Sequence, residues 1–289
     1  MSSYDIVSNS NFTISMLPGE VSVGRILPND LKSCAWPLLK AMFGGGEGKG
    51  PSGFFSLTQD ATEATLIMDD RCRAAFDEAA GVAAIEYAPN RWRVLELHLG
   101  SLAWEVPGLV CFLATLMAES KVSILNLSSN DRDFMLVQES DVASATRVIL
   151  ERLQHDVVGL KADISHKAMA CAHALIQRML FAPASGAGCF WSYTLSDDEI
   201  SLILDECSLA SFPEAAIVGT TTRWRPLRLS GIFGFDEVGV VAKMFTPYEE
   251  GLPLLNISTF STNVSLVEET DLEHALASFD IPVVRSDLS

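Results

Sequence analysis

The chain has 289 residues, of which 48% are hydrophobic, and its formal net charge at pH 7 is −17. This composition can fill a sizeable buried core, and the acidic balance argues against a nucleic-acid partner and against an anionic membrane surface. The first residues lack a basic segment followed by an apolar one, so we expect a cytoplasmic protein. The most apolar stretch, residues 106–118, is too short to cross a bilayer and predicts a buried helix.

The histidines and cysteines have no metal-ligand spacing. They are His98, His155, His166, His173 and His274, with Cys34, Cys72, Cys111, Cys171, Cys189 and Cys207. We therefore expect no metal ion and no cofactor, and we expect the cysteines to be small buried residues. The glycine-rich run 44–50 has the wrong spacing for a phosphate-binding loop and indicates a flexible connector.

Apolar periodicity predicts an α+β fold. Up to residue 204 the predicted elements are a helix over 31–43 that starts at Pro28, Asn29 and Asp30, strands over 65–68 and 122–127, a helix over 164–181 that starts at Asp163 or Ser165, and a strand over 200–204. Beyond it we predict a strand over 224–232, a glycine-bounded turn over 234–239, a helix through Val238, Val240, Val241, Met244 and Phe245, strands over 254–260 and 264–267, and a last helix capped by Asp271.

The chain repeats itself once. Residues 123–129 align with 253–259 when Asn126 is set on Asn256, and at the same offset of 130 positions Asp133 meets Asn263. Residues 55–58 align with 191–194 at an offset of 136 positions. The sequence therefore predicts two duplicated halves, near 11–155 and 156–281. Each half would hold two modules of the ferredoxin-like βαββαβ type, giving module 1 over 11–80, module 2 over 90–155, module 3 over 156–215 and module 4 over 222–281.

The turn over 234–239 is the best candidate for a ligand site. An α-amino acid offers a carboxylate, and the amino end of a helix presents free N–H groups and a positive dipole end to such an anion. The glycines of the turn would let the backbone approach the ligand. The alternative is that Asp236 caps the following helix and that the glycines only satisfy a tight turn.

The amino-acid sequence of this region is more distinctive than its pattern of strands and helices. The segments GFDEVGVVAKM and LPLLNISTFSTNVSLVEETDL resemble the last ACT domain of the CASTOR-type cytosolic arginine sensors, tandem ACT-domain proteins related to the regulatory ACT domains of aspartate kinases. The resemblance implies a non-catalytic regulator that binds an amino acid between modules 2 and 4 and alters a partner surface. It also implies a GATOR-type partner complex in TOR nutrient signalling and a homodimer formed through modules 1 and 3.

The same resemblance implies which residues hold the effector. Carried over position by position, the ligand-binding residues are Ser123, Ile124, Gly234, Glu237, Val238, Gly239, Phe260, Thr262 and Asn263. Two acidic residues that the family pattern expects are replaced here, by Asn263 and by Thr222. A buried guanidinium needs carboxylate partners, so these replacements disfavour arginine as the effector.

The sequence leaves several ligands and several functions open. A neutral amino acid, another small polar metabolite or no ligand competes with arginine, and Asp133 keeps its carboxylate at the equivalent position of the first half. An enzyme that recruited the ACT scaffold is one alternative function, with Glu237 and Asp133 as its acid and base candidates. A ligand-free adaptor is the other. We expect no catalytic residue in the regulatory reading.

Overall fold

The computed structural model describes residues 13–43, 53–79, 81, 84–98, 108–129, 132–153, 157–159, 171–181, 190–196, 200–213, 217, 219, 222–229, 231, 233–245 and 252–279. The strands of this part are β1 Thr13–Met16, β2 Val21–Ile26, β3 Phe55–Gln59, β4 Ala64–Asp69, β5 Glu86–His98, β6 Ile124–Ser128, β7 Arg132–Gln138, β8 Val157–Gly159, β9 Trp191–Leu195, β10 Ile200–Ile203, β11 Trp224–Arg228, β12 Leu254–Ser258 and β13 Asn263–Glu268. The helices are α1 Ala35–Phe43, α2 Asp70–Glu78, α3 Leu109–Glu119, α4 Val142–Leu153, α5 Ala172–Phe181, α6 Glu206–Leu209, α7 Val240–Met244 and α8 Leu272–Ser278.

Two compact units make up the fold. Unit 1 is built from residues within 1–18, 92–160 and 221–285, and unit 2 from residues within 19–91 and 161–220. Strand β5 contributes to both, because its residues 86–91 belong to unit 2 and its residues 92–98 to unit 1. Each unit therefore combines sequence from both halves of the repeat.

Unit 1 contains a sheet in the strand order β8, β1, β5, β7, β6, β12, β13, β11. Only the pairing of β1 with β8 is parallel among the described ladders of this unit. Helices α3 and α7 contact each other and share one buried apolar cluster with the sheet, which includes Leu113, Met117, Val241, Val137 and Val267. Burying these residues is the main source of stability for the unit.

A pseudo-twofold relation lies where β6 meets β12. Leu127 faces Ile257 across this antiparallel pair, and both side chains are fully buried. Asn126 N donates to Ser258 Oγ at 2.9 Å, and Asn256 N donates to Ser128 Oγ at 3.0 Å. We call residues 126–128 and 256–258 the seam. Across it, each of these hydrogen bonds has a counterpart at the position 130 residues away, so the internal repeat gives local twofold symmetry.

Unit 2 repeats this arrangement with different residues. Its strand order is β10, β9, β3, β4, β2 and the first part of β5. At the centre of the β3–β9 ladder Leu57 faces Tyr193, at the offset of 136 positions. On either side, Ser56 bonds to Thr194 at 3.1 Å and Thr58 to Ser192 at 2.8 Å, both buried. Helices α1, α2 and α5 pack on a buried cluster that includes Leu38, Phe55 and Trp191.

The predicted α+β fold is confirmed, and the structure corrects several boundaries. The predicted helix over 31–43 begins as a 3-10 turn, Pro28–Asp30, and becomes α-helical only at Ala35. Asp271 stands at the N-cap of α8 but makes no capping hydrogen bond, because the preceding residues form a 3-10 turn. The predicted strands over 254–260 and 224–232 end earlier, at Ser258 and Arg228.

Other sequence expectations have mixed outcomes. Within the apolar stretch 106–118, residues 109–118 belong to α3, most of whose apolar side chains are buried, and no described helix is long and apolar enough to cross a membrane. Cys34, Cys72 and Cys171 are buried as expected, whereas Cys207 is exposed. The run 44–50, the helix start at 163–165 and Cys189 lie outside the described residues. The four-module division stays a prediction.

Candidate functional site

The turn over 233–239 is held against the first repeat by side-chain hydrogen bonds. Ser123, which precedes β6, donates from Oγ to the carbonyl oxygen of Phe235 at 2.6 Å and lies 3.2 Å from that of Glu237. Gln138 at the end of β7 donates from Nε2 to Phe235 O and to Asp236 Oδ1, both at 3.0 Å. Two carbonyl groups of the turn thus accept hydrogen bonds from Ser123 and Gln138, which fixes the turn beside the sheet.

Aromatic contacts of Phe235 also hold this turn in place. The ring of Phe235 meets the ring of Trp92 edge-on at a centroid distance of 5.9 Å, and that of Phe260 at 5.0 Å. Such edge-to-face pairs contribute about 0.5–1.5 kcal/mol each beyond the area that they bury. Phe235 therefore joins β5 to the loop after β12 and limits the movement of the turn.

The expectation of an anion site at a helix terminus is weakened by the structure. Helix α7 has five residues, and its N-cap is Gly239, in the left-handed region at φ +86°. Few aligned peptide dipoles contribute to so short a helix. Asp236 does not cap it, because its carboxylate accepts from Gln138 instead. The site is built by a turn and by strand ends, with little contribution from a helix dipole.

A cavity lies between this turn and the strands of the seam. The empty space there amounts to about 360 Å³, a figure that includes open solvent in front of the cavity. Its lining residues are Ser123, Ile124, Leu125, Phe233, Gly234, Phe235, Glu237, Val240, Val241, Ser258, Thr259, Phe260, Thr262 and Asn263. Glu237 is the only ionisable residue among these described lining residues.

Seven of the nine predicted ligand residues line this cavity. They are Ser123, Ile124, Gly234, Glu237, Phe260, Thr262 and Asn263. Val238, which is exposed, and Gly239 are not among the lining residues. Sequence reasoning missed Leu125, Phe233, Phe235, Val240, Val241, Ser258 and Thr259. Five of these seven are apolar, so no chemical signal marked them, although each adjoins or lies close to a predicted site residue.

A buried polar network connects the cavity to the seam. Asn256 Nδ2 donates to Asn263 Oδ1 at 2.5 Å and to Ser265 Oγ at 3.0 Å. Asn263 Nδ2 in turn donates to Asn256 Oδ1 at 3.1 Å and to Ser258 Oγ at 3.0 Å. Two of these four residues, Ser258 and Asn263, also line the cavity. Their side chains are therefore already positioned before any ligand arrives.

Asp133, the equivalent of Asn263 in the first repeat, lies at the other end of the seam. Its Oδ1 accepts from Ser128 Oγ at 2.5 Å. Burial raises the pKa of Asp133 to about 6, and the hydrogen bonds from Ser128 and Asn126 oppose that rise. Asp133 is not among the cavity-lining residues, and neither is Thr222, so the structure does not unite Asp133 with Glu237 as an acid–base pair there.

Within the described residues, no group of three or more potential metal ligands is found. Asn126 and Asn256, which begin glycosylation-type sequons, are fully buried in β6 and β12. Their side chains serve the polar seam.

Two segments of the chain are similar to a known domain family. The ACT domain family model matches two segments, residues 87–151 and 220–279. The first contains Ser123 and Ile124, and the second contains the turn with β12 and β13. Both segments match the ACT domain model, and the cavity draws its lining from both.

Two relatives and one solved structure show the range of similarity. The chain is 24% identical over 275 residues to the cytosolic arginine sensor for mTORC1 subunit 1 of Rattus norvegicus, covering 76% of this chain and 82% of the relative. It is 24% identical over 274 residues to the Homo sapiens protein of that name, covering 75% and 82%. The aspartate kinase structure from Synechocystis is 10% identical and covers 96% of this chain and 58% of that chain, with a TM-score of 0.40. The resemblance to CASTOR-type sensors is confirmed.

Proposed function

We propose that this chain, which carries two ACT domains, is a non-catalytic regulatory protein that senses an amino acid. The relatives are named cytosolic arginine sensors, which supports a sensing role in the cytosol. The observation that carries the proposal is the cavity, because Ser123 and Ile124 from one ACT domain and Glu237 and Phe260 from the other line the same space. The nine residues named from the sequence are proposed as its effector contacts.

The proposed mechanism is a change in how the two ACT domains are held together. An effector in this cavity contacts both repeats at once, so it stabilises the arrangement in which the turn and the strand ends are close. A ligand shifts a conformational equilibrium only by its difference in affinity for the two states. The arrangement that binds more tightly would then expose or cover a surface for a partner. A GATOR-type complex in TOR signalling is the partner that we propose.

A homodimer is a further part of the proposal. Trp36 on α1 and Phe181 on α5, in the predicted modules 1 and 3, each leave 71% of their surface exposed. Exposed aromatic side chains are enriched at protein interfaces. Sedimentation velocity of the wild type and of a Trp36→Ala, Phe181→Ala double variant tests this part, and a monomeric wild type would refute it.

A thermal-shift screen of the full chain against the twenty amino acids tests the sensing role. An effector at 100 times its dissociation constant adds about 2.7 kcal/mol of stability, which is a clear rise in melting temperature. Glu237→Gln, in the cavity, is expected to reduce that rise. Glu151→Gln, an equal charge change at an exposed position of α4, should leave it unchanged. A flat response to all twenty amino acids would refute the proposal and favour an adaptor.

A further inference from the structure

The hydroxyl group of Ser258 has an unused proton at the cavity. Ser258 ends β12, is 4% exposed and lines the cavity. Its Oγ accepts from Asn126 N at 2.9 Å and from Asn263 Nδ2 at 3.0 Å. A hydroxyl has two lone pairs and one proton, so both acceptor positions are occupied and only donation is left. No described residue accepts that proton.

The orientation of the Asn263 amide follows from the network around it. Ser265 Oγ donates to the carbonyl oxygen of Met244 at 3.3 Å, so it acts as the acceptor toward Asn256. This places Nδ2 of Asn256 beside Ser265, and the other Nδ2 proton then meets Asn263 Oδ1. With its oxygen engaged there, Asn263 turns its Nδ2 toward Ser258. The amide therefore uses an acceptor position of Ser258 and does not take its proton.

In the first repeat the equivalent serine, Ser128, does donate its hydroxyl proton. Ser128 Oγ accepts from Asn256 N at 3.0 Å and from Asn126 Nδ2 at 3.3 Å, as Ser258 accepts from two nitrogens. Its proton, however, goes to the carboxylate of Asp133. The exchange of a carboxylate for an amide between Asp133 and Asn263 thus leaves a hydroxyl donor free only at the cavity.

This donor limits what the buried end of the cavity can hold. A guanidinium or ammonium group has no acceptor atom for the Ser258 proton. A carboxylate would be an acceptor, but a buried charge without a cationic partner is costly, and no lysine, arginine or histidine is among the described lining residues. An uncharged oxygen, as in a carboxamide or a hydroxyl group, satisfies the donor without that cost.

We propose that the effector is an amino acid with an uncharged side chain that ends in an oxygen acceptor, which receives a hydrogen bond from Ser258. The charged α-ammonium and α-carboxylate groups then lie at the open side of the cavity, where solvent stabilises both and the exposed Glu237 stabilises the ammonium. This inference rests on the proposed sensing function and adds the class of side chain to it. Ser258 and Asn263 are its specificity-determining residues.

Isothermal titration of the full chain with glutamine, and separately with arginine, tests this assignment. Glutamine is expected to bind more tightly than arginine. Ser258→Ala should weaken glutamine binding about tenfold, since one buried hydrogen bond is lost. Ser128→Ala is the matched control, because it removes the equivalent acceptor of the seam but lies outside the cavity lining, and it should leave the glutamine affinity unchanged.

Asn263→Asp provides an independent readout. Its carboxylate would take the Ser258 proton, as Asp133 takes that of Ser128, so glutamine binding should fall and arginine binding should rise. Tighter arginine than glutamine binding by the wild type would overturn the inference and leave the sensing function standing. Equal effects of Ser258→Ala and Ser128→Ala on glutamine affinity would also overturn it. Binding of no amino acid would overturn both.

Discussion

Leu127 and Ile257 face each other across the β6–β12 pair, and they are the same position of the internal repeat. The polar residues beside them are paired in the same reciprocal way. A duplicated sequence has therefore produced an intramolecular counterpart of a symmetric dimer interface, in which one patch contacts its own copy. The cavity lies at the edge of this seam, and its asymmetry comes from positions at which the repeats differ, such as Asp133 and Asn263.

Truncation of either central residue should cost a similar amount of stability. Leu127→Ala and Ile257→Ala each leave a cavity in a fully buried site, and such changes lower the free energy of unfolding by about 2–5 kcal/mol. Urea denaturation measures both. Leu150→Ala, at an exposed position of α4, is the control and should cost less than about 0.5 kcal/mol. A large difference between the two buried variants would contradict equivalent roles in the seam.

The glycines that precede α3 and α7 should contribute to stability through their backbone conformation. Gly108 has φ +103° and Gly239 has φ +86°, so each holds a left-handed conformation that costs an L-residue about 1 kcal/mol or more. A Cβ at Gly108 meets no atom within 4 Å, and one at Gly239 meets only Ala118 Cβ at 3.7 Å, an ordinary contact. Alanine should therefore destabilise each site by about 1 kcal/mol through the backbone alone.

Asparagine gives the check on that argument, because it tolerates the left-handed region better than alanine. Gly239→Asn should lose less stability than Gly239→Ala in thermal denaturation, and the same order should hold at Gly108. The reverse order at both positions would show that steric contacts, and not backbone conformation, decide the cost.

The Asp133 carboxyl should make stability depend on pH. Its pKa of about 6 lies above the ordinary value of 3.8, so the folded state binds the proton more tightly than the unfolded state. The resulting stabilisation is fully present below about pH 4 and is lost as the pH rises through 6. Asp133→Asn has no carboxyl group to titrate and therefore lacks this loss. Between pH 4 and pH 8 its free energy of unfolding, minus that of the wild type, should rise by about 2–3 kcal/mol. Denaturation midpoints across this range measure it.

Ser128→Ala supplies the second arm of that experiment. The Ser128 hydrogen bond lowers the pKa of Asp133, so its removal should move the loss of stability to higher pH. An unchanged pH profile in both variants would contradict a titrating carboxyl in the seam.

Phe235 should govern the order of the turn. Phe235→Leu keeps an apolar side chain but loses the edge-on contacts with Trp92 and Phe260, at a cost of about 1–2 kcal/mol. Amide hydrogen exchange within 233–239 should then become faster. Phe233→Leu is the same substitution two residues earlier, where no ring pair occurs among the described residues, and should change exchange less. Equal acceleration in both variants would contradict the role given to Phe235.

The sequence by itself determined the repeat, the α+β class and much of the site. Period-two and helical patterns depend on local geometry, which a single segment carries, and the two offsets were readable because equivalent positions kept similar residues. The resemblance identified residues of the turn and of the segment 256–263 as ligand-binding, and seven of the nine predicted ligand-binding residues line one cavity. The substitution of Asn263 for an acidic residue was also visible without coordinates.

Only the tertiary structure decided what these residues do to one another. The grouping of 92–160 with 221–285 arises from strand pairing between distant segments, which no local pattern encodes. The five-residue length of α7 leaves little helix dipole for an anion, and Asp236 accepts from Gln138 and does not cap that helix. The free proton of Ser258 depends on which lone pairs its neighbours occupy, because a serine in a strand can donate or accept until three-dimensional contacts fix its role.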